Sequence, residues 1–257
     1  MVGNRVIVVH DWQRKGSLLI VFFFLLIHSK SQPIQYSKWE LQFSTPVYYK
    51  AELRFTSGPG YFKSVYATSY EISLIRHLYL GEHHSISIQA GIGKMAYKID
   101  YEFLKEKYPE IPFSITREKH TDRFYDLRRF AVGYAYFFSV NSKLTGALNV
   151  NTGIRHTPST RVGFYYDIIN PDGSTFYVMS LESQSANRFI TQDAELRLSG
   201  YYLLGKRIHL SGSLFARYSF TEQATGSFVI FPNTASRTEG TFTLSGSCAG
   251  FCVGIGI

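Results

Sequence analysis

Cysteine is scarce: the 257 residues hold only Cys248 and Cys252, too few for a disulfide framework or a Cys-rich zinc site. Dense basic runs are missing too. The net charge is +8, yet Lys and Arg are scattered, which removes the electrostatic footprint of a nucleic-acid binder. Charged residues make up 18% of the chain and apolar residues 45%, the wrong balance for a disordered chain. Beyond one N-terminal run there is no long apolar segment, so no stretch of about twenty residues stands ready to span a bilayer as a helix. What is plentiful is Phe (21), Tyr (19) and Gly (21), the loading of strands and turns. The length fits one large domain or two small ones. Composition therefore predicts a β-rich chain and leaves its activity open.

Arg14 and Lys15 precede ten unbroken apolar residues, Leu18 to Ile27. That is half of what a spanning helix needs, but it suits the h-region of a secretory signal. Ser29 and Ser31 supply small side chains before Gln32, so residues 1–31 are expected to be a cleaved signal peptide and 32–257 the mature domain. The stretch from Met1 to Gln13 is long for an n-region, which places the expected start codon downstream. Cleavage removes four basic residues (Arg5, Arg14, Lys15, Lys30) and one acidic residue (Asp11), lowering the charge from +8 to +5.

Alternation carries the fold. In Arg207–Thr221 the odd positions are Arg207, His209, Ser211, Ser213, Phe215, Arg217, Ser219 and Thr221, almost all polar. The even positions are Ile208, Leu210, Gly212, Leu214, Ala216, Tyr218 and Phe220, almost all apolar. Lys143–Arg155 and Asp193–Leu204 repeat this period of two. Soluble strands average about five or six residues. These are twice as long. About ten residues at ~3.3 Å each, tilted near ~45°, cross roughly 25 Å of hydrocarbon.

Eight such segments are expected, at about 37–55, 61–80, 84–103, 124–140, 143–156, 188–204, 207–223 and 240–257. Gly81-Glu82-His83, Asn141-Ser142 and Gly205-Lys206 read as tight turns. Leu104–Arg123, Thr157–Asn187 and Ala224–Glu239 read as long polar loops, and Thr56–Gly60 as a short one. An even strand number with short turns on one side and long loops on the other is the outer-membrane plan.

On these features the chain resembles the OmpA/OmpX-type eight-stranded outer-membrane barrels from Tyr36 to Ile257. The resemblance implies an all-β, antiparallel, up-and-down transmembrane barrel in the outer membrane of a Gram-negative bacterium. It also implies that Phe251, Val253, Ile255 and Ile257 form the terminal strand read by the barrel-assembly machinery, although the last residue is Ile and not aromatic. The Ser-Gln junction and the Tyr-rich strands resemble small barrels of Bacteroidota. A soluble β-sandwich or a lipocalin-like cup is the competing reading, in which the apolar face would turn inward.

The polar faces predict the interior. Glu40, Glu71, His77, Arg129, Asn149, Asn151, Arg155, Asp193, Glu195, Arg197, His209 and Arg217 are expected to point inward. Eight strands enclose a lumen just wide enough for side chains, so acids and bases there must pair. Arg197, Glu195 and Arg217 are the expected partners. A general solute porin is disfavoured, because porins need about sixteen strands. Trp39, Tyr48, Tyr49, Tyr97, Tyr101, Phe124, Tyr125, Tyr165, Tyr166, Tyr201 and Tyr202 are expected to form two interfacial girdles.

Catalytic motifs fail inspection. Gly91-Ile-Gly93-Lys-Met-Ala96 imitates a dinucleotide fingerprint but lies inside an expected strand. Gly246-Ser-Cys248-Ala-Gly250 imitates a nucleophile elbow with no room for a following helix. Cys248 and Cys252 would sit about 13 Å apart in a strand, beyond disulfide reach unless Gly250 makes a bulge. The switch of apolar parity between Phe242, Leu244 and Phe251, Val253 makes such a bulge plausible. Lipid A deacylases place His and Ser two residues apart. Here His156 and Ser159 are three apart, which puts them on opposite faces of a strand. Asp167 would be their nearest acid.

The expectation is a non-catalytic small barrel without cofactor or metal: a structural envelope protein or an accessory subunit of a larger secretion or uptake complex. Outer-membrane lipids, lipopolysaccharide, the assembly machinery and other outer-membrane proteins would be its partners, and nucleic acid would not. A deacylase-like enzyme is the alternative. No peptidoglycan-binding domain is expected after the last strand.

Overall fold

Strands of alternating polarity close into a barrel when the first pairs with the last, and this chain does so. The computed structural model describes residues 38–57, 62–103, 115–157, 161–170, 172–185, 190–204, 208–231, 234–235 and 237–257. The expected signal segment, residues 1–31, lies outside the described residues. The described residues form β1 (Trp39–Tyr48), β2 (Glu52–Ser57), β3 (Phe62–Val65), β4 (Ala67–Thr68), β5 (Glu71–Tyr79), β6 (His84–Phe103), β7 (Ile115–Ser139) and β8 (Leu144–His156). Then come β9 (Arg161–Ile169), β10 (Thr175–Ser185), β11 (Ile190–Leu203), β12 (His209–Ser219), β13 (Ala224–Ile230), β14 (Thr238–Leu244) and β15 (Cys248–Gly256).

Eight strands make the barrel, in the order β15-β12-β11-β8-β7-β6-β5-β1, and β1 pairs β15 to close it. The closing register runs antiparallel from Glu40↔Gly256 to Tyr48↔Cys248. Tight turns join β5 to β6 and β7 to β8. Gly81 supplies a φ of +121° in the first. In the second, Asn141 Oδ1 accepts from the amides of Lys143 and Leu144, both at 2.9 Å. In β12 every odd position from His209 to Ser219 is buried and every even one is exposed. The exposed positions carry the apolar residues, among them Leu210, Leu214 and Tyr218. Apolar outside and polar inside inverts a soluble protein. Such a belt requires lipid around it.

Where they are described, the expected long loops are largely strands. A second, five-stranded antiparallel sheet runs β2-β14-β13-β10-β9. Each of its strands precedes or follows a barrel strand in the chain: β1 leads to β2, β14 to β15, β12 to β13, β10 to β11 and β8 to β9. Its order repeats the barrel order β1-β15-β12-β11-β8, so the sheet continues the barrel wall upward as an extension. β6 and β7 continue upward as one long hairpin, and β3 pairs the upper part of β6. The expected segments 37–55, 61–80 and 240–257 are each divided accordingly: β1 from β2, β3 and β4 from β5, and β14 from β15.

Polarity reverses in the extension. Tyr97, Phe228, Ile230, Phe231, Phe242 and Leu244 are buried in an apolar core. Tyr97 stacks on Phe242 at 6.0 Å, and Phe55 meets Phe228 edge-on at 5.3 Å. The outer face of the same strands is polar. This explains the parity switch that had pointed to a bulge. Phe242, Leu244, Cys248 and Cys252 are all buried, so even positions face inward throughout. Facing does not change; the surroundings do. Both thiols are free and tucked inward.

Candidate functional site

The barrel interior holds four buried Arg (Arg129, Arg155, Arg197, Arg217) and four buried carboxylates (Glu40, Glu71, Asp193, Glu195) among the described residues. Their formal charges cancel. They stack in layers along the axis, each layer built from alternate positions of neighbouring strands.

The layer nearest the tight turns centres on Glu40 of β1. It lies 3.2 Å from His77 Nε2, accepts from the Gln42 amide at 2.8 Å, and accepts from the Ser211 hydroxyl. Aromatic rings close around it. Tyr79 stacks on His77 at 6.0 Å, Phe137 meets His77 edge-on at 6.2 Å, and His209 meets Tyr201 edge-on at 5.1 Å.

The middle layer turns on Glu195 of β11. Arg197 and Arg217 each reach it at 2.7 Å, and the Asn151 amide donates to it at 3.1 Å. Arg217 also bridges to Glu71 of β5 at 2.8 Å, across the barrel from its own strand β12. Arg197 donates onward to Gln42. The guanidinium of Arg217 lies 5.4 Å from the Phe215 ring. Desolvated charges of this kind are tolerable only when they are paired and hydrogen-bonded.

The upper layer ties the barrel to the extension. Arg129 of β7 holds Asp193 at 2.7 Å and Glu195 at 3.4 Å, with Gln89 at 3.2 Å. Arg155 of β8 lies 3.0 Å from Asp193 and donates to the Gly246 carbonyl at 2.7 Å. Gly246 links β14 to β15 with a φ of +73°, and a Cβ there would stand 2.8 Å from the Arg155 guanidinium. Gln223 joins the junction, accepting from Thr191 at 2.9 Å and donating to Thr157.

All twelve expected inward residues lie buried in this interior. Gln42 and Gln89 belong with them and went unnamed, although they share the parity of Glu40 and Ser87. The girdle divides. Trp39, Tyr49 and Tyr202 are exposed, whereas Tyr48, Tyr97 and Tyr201 point inward and are buried. Tyr165 is exposed on the extension, and the side chains of Tyr101, Phe124, Tyr125 and Tyr166 lie outside the described residues. Phe251, Val253, Ile255 and Ile257 form an exposed outward row on β15 and its end.

Gly91 to Ala96 lies within β6. His83 contacts the Phe137 carbonyl at 3.0 Å, and His84 contacts the Tyr134 hydroxyl at 2.5 Å. Among the described residues no group of three or more His, Cys, Asp or Glu could hold a metal. Ser159 lies outside the described residues. His156 is half-buried, and Asp167 is exposed on β9 of the extension. At the β9–β10 turn, the Ser174 hydroxyl and amide donate to Asp172 at 2.6 and 2.9 Å and hold its carboxyl below the usual range.

No family model and no curated protein matches the chain. Among solved structures it is similar to the outer membrane protein OprG from Pseudomonas aeruginosa, with a TM-score of 0.45 and 7% identity over 86% of this chain and 97% of that one. It is also similar to Ail, the attachment invasion locus protein of Yersinia pestis, with a TM-score of 0.31 and 7% identity over 85% of this chain and 99% of that one.

Proposed function

We propose that the protein is a non-catalytic outer-membrane barrel of a Gram-negative bacterium, serving as a structural envelope protein or as an accessory subunit of a larger secretion or uptake assembly. The carrying observation is the interior: its formal charges cancel, each buried Arg is ion-paired with a buried carboxylate, and aromatic rings close one end while the apolar core of the extension lies above the other. Such a barrel is a scaffold. Its contacts belong to the outer surface, where functional groups on rigid scaffolds usually sit.

The partners follow from the surface. The apolar belt meets outer-membrane lipids, and the exposed rim carries Tyr49, Lys50, Tyr66 and Tyr70 at the level of lipopolysaccharide headgroups. There Lys50 lies 5.1 Å over the Tyr66 ring. The outward row Phe251, Val253, Ile255 and Ile257 supplies the terminal-strand pattern for the assembly machinery. Purification from native membranes followed by mass spectrometry of co-purifying proteins tests the reading. A reproducible stoichiometric partner supports the subunit role, and a lone monomer supports the structural one. Recovery in the soluble fraction would overturn both.

A further inference from the structure

The outer wall of the extension carries a groove that the scaffold reading does not use. It lies on the three neighbouring strands β14, β13 and β10, and has a cavity volume of about 500 Å³. Thr225, Ser227, Thr241 and Thr243 line it, with Glu182 on one side. Thr225 pairs directly across the strands with Thr243, and Ser227 with Thr241, so four hydroxyls form a rectangle. Strand geometry sets its sides at about 4.8 Å across strands and about 6.6 Å along them. Among the described residues no hydrogen bond engages any of these four hydroxyls.

Charge narrows the ligand. Glu182 lies directly across from Ser227, and the Tyr165 hydroxyl donates to its Oε1 at 2.8 Å, which fixes the carboxylate at the groove's edge. On the opposite side Arg54 of β2 pairs with Thr241, and its exposed guanidinium meets the Glu52 carboxylate at 2.8 Å. Its lining therefore offers a fixed carboxylate and rotatable hydroxyls and, among the described residues, no cation. That set does not suit phosphate or sulfate. It suits a neutral polyhydroxyl ligand, whose hydroxyls exchange hydrogen bonds with Ser and Thr and donate to a carboxylate.

Position narrows the source. Thr243 and Thr225 stand next to the ends of β15 and β12, so the groove opens sideways just above the lipid-facing belt. A ligand arriving from outside the cell would meet the tip of the extension first. Chains rooted in the surrounding leaflet pass beside the groove. We propose that it binds a neutral glycan chain of the cell's own envelope; this rests on the outer-membrane reading for its source but not for its chemistry.

The test uses the full mature barrel in phospholipid nanodiscs, because glycosidic detergents would compete. The probes are polysaccharide released by mild acid from the host's own lipopolysaccharide, the unrelated neutral glycan maltoheptaose, and dextran sulfate. Saturation-transfer NMR and titration calorimetry should show the host polysaccharide binding at least tenfold more tightly than the other two. Thr241→Val and the isosteric Glu182→Gln should each weaken binding at least fivefold while leaving heat-modifiable gel migration intact; Thr225→Val replaces Thr241→Val if that variant does not fold. No binding of any neutral probe, or undiminished binding by folded variants, would overturn the site. Equal binding of maltoheptaose would overturn the assigned source, and tighter binding of dextran sulfate would overturn the neutral-ligand chemistry. All of these readings are made on purified protein, so their failure is separable from a failure of the cellular localisation.

Discussion

Glu195 is the residue on which the interior depends most. Two guanidinium groups and one amide converge on it, with a third guanidinium at 3.4 Å. Glu195→Ala leaves Arg197 and Arg217 short of a counter-charge inside a low-dielectric space. Removing one partner of a buried pair costs about 3–5 kcal/mol. We expect that loss in urea unfolding of the barrel in lipid vesicles, followed by the fluorescence of Trp39; a cost below about 1 kcal/mol, the range of an exposed ion pair, would mean that water reaches the site. The inward positions were legible because charges on one parity of a long strand have nowhere else to go. The misassigned tyrosines show the limit of that logic. An aromatic ring at a strand end fits a girdle or a plug equally well by type. Parity decides: Tyr48 shares its face with Glu40 and Gln42, and Tyr201 shares its face with Arg197 and Ser199.

At the scale of the strand, β12 offers a graded test of which face meets lipid. Its eleven residues give a length of about 36 Å, and Leu214 lies near the middle whereas Leu210 lies next to the turn end. Leu214→Arg should cost about 2–4 kcal/mol and Leu210→Arg about 0–1, since the penalty for Arg on the lipid face depends on depth. Equal costs at the two positions would contradict the placement of β12. β14 belongs to the other regime. Phe242 is buried against Tyr97 inside the extension, so Phe242→Ala should cost about 3–5 kcal/mol of local stability. Limited proteolysis should then cut the extension while the barrel keeps its compact gel mobility; loss of both together would show that the two parts unfold as one. These upper strands were hidden in the sequence. Period two announces a strand without saying which face is inward, and β13 and β14 are short, with their apolar residues on the inner face. Only when the surroundings change from lipid to water does the same parity carry opposite polarity.

The whole molecule is a barrel in two solvents: a lower part turned inside-out for lipid and an upper part built like a soluble sandwich. Closure by nine residue pairs between β1 and β15 leaves no free edge in the lower part. A closed barrel of this kind should pass no stepwise current in planar bilayers at neutral pH, because its interior is occupied by ion-paired layers; well-resolved conductance steps would require those layers to move aside. The barrel class and strand number were legible from strand length and turn spacing, since closure leaves an even count of long alternating segments. The junction was not, because Arg155 is tied there to the Gly246 carbonyl, a backbone group that no side-chain pattern marks. The most direct measurement is the gel migration of the protein extracted from the outer-membrane fraction, unboiled and boiled. The unboiled form is expected to run faster and to shift to full apparent mass on boiling. Co-migration of the two samples, or recovery of the protein outside the membrane fraction, would contradict a closed membrane barrel.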